Sequence, residues 1–198
     1  MTGSIMSYDE EAIRRRLERL DASQKTAFAA CCAERLLQLL VKIANGPAGV
    51  VAELLPILDR VWEWTRGSGR DLRGDDQIAE GLVPDDDDDN QWTLLVGYTQ
   101  NAAACTAYAV RTSLSGSAKE AVWAARQAYE VADLAAQHSG YSRASDGEPL
   151  ERQLLSAEVV QHALRGIEQD LVGVEGGLPV DVLRRNAKTA AEAWAHMF

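Results

Sequence analysis

Three histidines, three cysteines and an uneven scatter of carboxylates are the residues from which this 198-residue chain could build chemistry. His162 follows Glu158 by four positions and His196 follows Glu192 by four, so on helices each pair shares a face and offers two metal ligands. A di-iron bundle needs Glu-x-x-His twice plus two further carboxylates, and that spacing is absent. These pairs, with His138, read instead as helix-surface residues, and no metal or cofactor is expected. Cys31 and Cys32 are adjacent, without the Cys-x-x-Cys spacing of a redox pair or a nearby histidine to activate a nucleophile. Cys105 lies in an alanine-rich run. All three read as small buried thiols of a reducing compartment. Gly67 and Gly69 precede acids rather than Lys-Ser/Thr, so they make a linker and not a phosphate loop. Nucleophile-elbow and zincin patterns are missing too.

The acids are concentrated. The net charge is −10, and residues 71–90 hold Asp71, Asp75, Asp76, Glu80 and the run Asp85, Asp86, Asp87, Asp88, Asp89 against Arg73 alone. The run lacks the alternating ligands, central glycine and distal glutamate of an EF-hand. Such charge repels nucleic acid and anionic membrane and suits a basic protein partner. The plainer alternative is a solvated loop whose end, Asp89 or Asn90, caps the next helix. Trp64 lies about 200° around a helix from Trp62, so it sits in a second interface or stands exposed as a contact residue. The candidate partner-binding residues are therefore Asp75, Asp76, Glu80, Asp85 to Asp89 and Trp64, and the acidic segment is expected to be dispensable for folding.

The elements that would carry these residues are helices. Apolar residues make up 46% of the chain with only two Phe, and alanine and leucine dominate them, which favours closely packed helices over sheet. Ser7 with Glu10 has the spacing of a capping box for a first helix over about 8–20. Phe28, Cys32, Leu36, Leu39 and Ile43 stripe a second helix, stopped at Asn45-Gly46-Pro47. Val51, Leu54, Leu55, Leu58, Val61 and Trp62 stripe a third, with Pro56 marking a kink or a start. A short helix near 77–82 interrupts the polar stretch. A fifth begins near Asn90, and Ser117 with Glu120 caps a sixth. Pro149 opens a seventh running to about Val172, and Pro179 opens the last. The expectation is an all-α single bundle of seven or eight helices: N-terminal helices over 7–66, an acidic connection over 67–90, and C-terminal helices over 91–196. Phe28, Cys32, Leu36, Leu58, Trp62, Leu95, Val122 and Tyr129 should share one core. No stretch reaches the roughly 18 apolar residues of a membrane span, and the N-terminus has no secretory pattern, so the chain reads as cytoplasmic.

Arg16-Leu17-Glu18-Arg19-Leu20, then Phe28 to Leu37, then Leu58-Asp59-Arg60-Val61-Trp62-Glu63, resemble the bacterial YjaG-like family, domain of unknown function family 416. The stretches Gly97 to Arg111, Ala121 to Asp133 and Glu158 to Leu171 continue the resemblance over about residues 8–175. It implies a cytosolic helical bundle and carries no catalytic residues with it. The helix prolonged by Gln38-Leu39-Leu40-Val41, the aspartate run and Pro56 depart from the family pattern. Composition and resemblance together point to a non-enzymatic protein-interaction module, a homodimer being compatible. Its specific form is an immunity protein that neutralises a basic toxin through the acidic segment. The alternatives are a regulatory adaptor read through an apolar groove, and an enzyme built from carboxylates such as Glu34, Asp59, Glu63 and Asp133.

Overall fold

The computed structural model describes residues 5–43, 47–83, 93–139 and 149–198, and among these all regular structure is helical. The helices are α1 (Glu10–Leu17), α2 (Ala22–Lys42), α3 (Ala48–Thr65), α4 (Arg73–Gly81), α5 (Leu94–Ser115), α6 (Ala118–His138), α7 (Leu150–Ser156), α8 (Glu158–Glu175) and α9 (Val180–Ala195). Asp21 starts α2 with a reciprocal capping box: its carboxylate accepts from the Gln24 N–H, and the Gln24 side chain accepts from the Asp21 N–H. Every residue from Thr26 to Leu37 is then buried. A helix enclosed on all sides has to be the axis of its fold, and α3, α5, α6, α8 and α9 surround α2. Ala29, Ala30, Cys31, Cys32 and Ala33 keep its middle thin enough for neighbours on every side.

Around this axis the remaining helices dock in hairpins. Gly116 closes α5 in the left-handed region, φ +65°, which only glycine adopts freely, and turns the chain into α6. The α5–α6 contact is close because both faces are alanine-rich, and the Cys105 thiol donates to the Ala124 carbonyl at 3.3 Å. The next hairpin is α8–α9. At the end of α8 the Leu178 N–H donates to the Gly173 carbonyl (3.0 Å) and the Gly177 N–H to the Val174 carbonyl (3.1 Å). This paired bond pattern, with Gly177 at φ +68°, reverses the chain so that Pro179 can open α9.

Several local expectations change. The described residues hold nine helices because the stretch from Pro149 to Val172 is two, with Ala157 extended between them at ψ 136°. Gln161 holds the break: its amide donates to the Leu155 carbonyl (2.7 Å) and to the Met6 carbonyl (2.8 Å), while its oxygen accepts from the Met6 N–H (2.9 Å). The N-terminus of α1 is capped by Asp9, not Ser7, and Ser117 makes no side-chain cap on α6. Exposed Pro56 lies inside α3, eight residues after its start. Phe28, Cys32, Leu36, Leu58, Trp62 and Val122 are core residues, whereas Leu95 and Tyr129 are half-buried against it. The short helix of the acidic segment is α4, earlier than expected, and Leu72 and Ala79 are fully buried. That half of the segment belongs to the core. Gly46 and the run Asp85 to Asp89 with Asn90 lie outside the described residues.

Candidate functional site

Two charges sit side by side in the buried stretch of α2, Glu34 and Arg35. A charge out of water is costly unless it is paired and hydrogen-bonded. Glu34 meets that condition fully. Its carboxylate accepts from the Trp62 indole of α3 (2.9 Å), Gln38 (2.9 Å) and Arg184 of α9 (2.9 Å), with the Lys188 ammonium at 3.6 Å. Arg184 also pairs with Asp59 and lies over the Trp62 ring. The network ties α2, α3 and α9 together and leaves the carboxylate no free direction.

Arg35 is different. It points toward α8 and is 1% exposed; its partner Asp170 is 3% exposed. Nη2 lies 2.8 Å from Asp170 Oδ2 and donates to the Gly166 carbonyl at 3.4 Å. The guanidinium fits only because residue 166 is glycine: a Cβ there would stand 3.0 Å from Arg35 Cζ. Yet among the described residues Arg35 Nε and Nη1 have no hydrogen-bond partner, and Asp170 Oδ2, close in distance but off the hydrogen-bonding direction, has none either. Burial pushes the Asp170 carboxyl up, and the neighbouring guanidinium and the Cys31 thiol pull it back. Burial also raises the Cys31 thiol well above its ordinary range, reinforced by Asp170, which keeps it protonated and unreactive.

Both members of this pair form the floor of a cleft of about 840 Å³ between α8 and α9. The two helices are clasped at each end. Near their turn Gly173 lets them touch, since a Cβ there would lie 2.8 Å from Leu183 Cδ2. At the far end the Trp194 indole donates to the Val159 carbonyl (3.2 Å), and the His162 Nε2 lies 3.2 Å from the Ala190 carbonyl. Between the clasps they part. Leu183, Ala190 and Ala193 give the opening an apolar wall, and Val172 and Leu178 at its edge are 53% and 42% exposed. Burial lowers the pKa of His162, and Arg165 and Arg35 lower it further, so its ring stays neutral.

The expected partner-binding residues are not gathered into one bare acidic face. Asp75 is 9% exposed and receives a two-pronged bond from Arg60, Nε at 3.0 Å and Nη2 at 2.6 Å. Arg111 of α5 pairs with Asp76 (2.7 Å) and Glu80 (2.8 Å). These three acids are paired within the chain by two arginines, Asp76 and Glu80 sharing Arg111, because α4 docks with its acids against α3 and α5. Trp64 is half-buried against the core. Asp85, Asp86, Asp87, Asp88 and Asp89 lie outside the described residues. Of the scattered carboxylates, the structure joins Glu34 and Asp59 through Arg184 and leaves Glu63 and Asp133 apart. Among the described residues no group of three His, Cys, Asp or Glu could hold a metal. Arg35, Asp170 and Gly166 were not singled out by sequence. The one arginine inside the otherwise mostly apolar run from Phe28 to Leu40, next to Glu34, was the signal for the first.

No family model and no curated protein matches the chain. A crystal structure of a DUF416 family protein from Shewanella baltica OS155 does, with a TM-score of 0.68 over 91% of this chain and 93% of that one. The two share a fold. At 15% sequence identity the likeness extends to architecture and no further. It agrees with the sequence resemblance to the same family, and among the described residues no helix is long and apolar enough to cross a membrane.

Proposed function

We propose that this protein is a non-enzymatic binding module of the regulatory-adaptor kind, whose ligand sits in the cleft between α8 and α9. One observation carries the reading: two donor atoms of the buried Arg35 have no hydrogen-bond partner among the described residues, and Arg35 and its partner Asp170 both line an open, apolar-walled cleft. Folded proteins leave few such groups unsatisfied, and each costs about 1–3 kcal/mol, so their collection at one opening argues for a ligand that completes them. Binding without turnover is supported by the state of the reactive groups nearby. Cys31 is held as a thiol, His162 is neutral, and Glu34 is saturated. The shared fold, together with the sequence resemblance, supports placing the chain in the YjaG-like family and in the bacterial cytoplasm. The test is a thermal-shift screen of metabolites on the native protein and on Ala193→Trp, which fills the cleft from an exposed position. A true ligand raises the melting temperature of the native protein alone. Equal shifts in both proteins would place binding elsewhere.

A second reading rests on the charge of −10. An immunity protein or other partner of a basic protein uses an acidic surface for capture, with affinity that falls as salt rises. Since Arg60 and Arg111 already answer the acids of α4, the aspartates at 85–89 are left to carry that role. Replacing Asp85 to Asp88 with asparagine should then weaken partner capture and remove its salt dependence. Unchanged capture leaves the run as solubilising surface.

A further inference from the structure

Resting on the cleft reading above, we infer that the ligand is an amphipathic monocarboxylate, an acid group on an apolar body. The charges lining the cleft can be accounted for one by one. Arg35 and Asp170 cancel at 2.8 Å. Glu168 is held from α1 by Arg16 at 2.8 Å, and Arg16 also pairs with Glu175 at 2.6 Å. Burial, with the nearby Arg165 and Arg35, lowers the pKa of His162 and so favours its neutral ring, against the opposing pull of the Ala190 carbonyl and Glu158. Arg185, exposed at the rim, has no ion pair among the described residues. Among the charged side chains of the lining, Arg185 is thus the one without an ion pair in the described residues, on a chain whose net charge is −10. The floor has the same preference: Arg35 Nε and Nη1 are donors without a hydrogen-bond partner among the described residues, whereas Asp170 Oδ2 already has the guanidinium at 2.8 Å. An acceptor-rich anionic group satisfies both features, whereas a cation would face Arg185 and Arg35 with one carboxylate already engaged.

The walls determine the rest of the ligand. Val172 and Leu178 are large apolar side chains left in water at the edge of the opening, and Leu183 and Ala193 continue that surface inward. Covering them releases ordered water and gives an affinity that grows with the length of the apolar body. About 840 Å³ is ample for a medium-length acyl chain or a substituted aromatic ring, and is typical of a small-molecule site. A divalent or polyphosphate anion would be over-charged for a single free arginine and would not use the walls.

Isothermal titration with decanoate, decanol and decyltrimethylammonium tests the assignment on the native protein and on Arg185→Gln, Arg185→Lys and Ala193→Trp. All three variants change exposed positions, and circular dichroism confirms that they fold. Decanoate is expected to bind at millimolar concentration or below, on the order of tenfold tighter than decanol, and the ammonium weakest. Arg185→Gln should lose that tenfold preference while keeping decanol binding, and Arg185→Lys should retain it. Ala193→Trp should abolish binding of all three. Preference for the alcohol or the ammonium, or indifference of decanoate to Arg185→Gln, overturns the carboxylate assignment and leaves the cleft standing. Binding that survives Ala193→Trp overturns the cleft as well. Absence of binding by any of the three to the native protein also rules out the assignment.

Discussion

Arg35 and Asp170 give the most direct residue-scale prediction, because a buried ion pair is dear to break and cheap to replace as a whole. Asp170→Leu strands the Arg35 guanidinium in the core and should cost about 3–5 kcal/mol; Arg35→Met strands the carboxylate and should also destabilise. The double variant should be markedly more stable than the sum of the single losses when followed by urea unfolding. Additive losses would mean that the two side chains do not work as a pair. His162 supplies a pH prediction. Burial holds its pKa below the free value of 6.5. The neutral ring is therefore the one the fold favours, and its contribution is present above the free pKa and lost as pH falls through the folded one. The melting temperature of the native protein should drop between pH 7 and 5 by more than that of His162→Gln; parallel curves would contradict this. Arg35 could have been suspected from a charged pair, Glu34-Arg35, amid apolar neighbours. Asp170 could not, because its partner lies far away in sequence and its own surroundings read as an ordinary helix face.

At the scale of elements, legibility followed locality. The stripe of α2 and the proline start of α9 depend on residues within a turn or two, and both were visible in the chain. The break between α7 and α8 was invisible because no proline or glycine marks it; it is held by Gln161 reaching Met6, 155 positions away. The acidic segment was misjudged for a related reason. Its charge pattern suggested solvent, but Arg60 and Arg111 arrive from α3 and α5 to pair with Asp75, Asp76 and Glu80, and Leu72 anchors it in the core. Leu72→Ala should consequently cost about 2–5 kcal/mol in chemical unfolding. Replacing Asp85 to Asp88 with asparagine should leave the unfolding midpoint unchanged. A Leu72→Ala variant as stable as the native protein would mean that α4 is not docked.

For the molecule as a whole, one enclosed helix dictates the rest. With α2 buried on every side, its neighbours must fit around a thin axis, and α8 and α9 lie against it with Arg35 reaching toward the space between them. The Gly173–Leu183 contact and the Trp194–Val159 bond hold that hairpin at both ends, so the cleft is built into the scaffold. The measurement that tests this most directly is amide hydrogen exchange across the chain, with and without saturating decanoate. The account predicts slowed exchange confined to residues 162–176 and 183–193, with α4 and the α5–α6 hairpin unchanged. Slowed exchange centred on α4, or no change between residues 162 and 193 under conditions where decanoate binds, would contradict it.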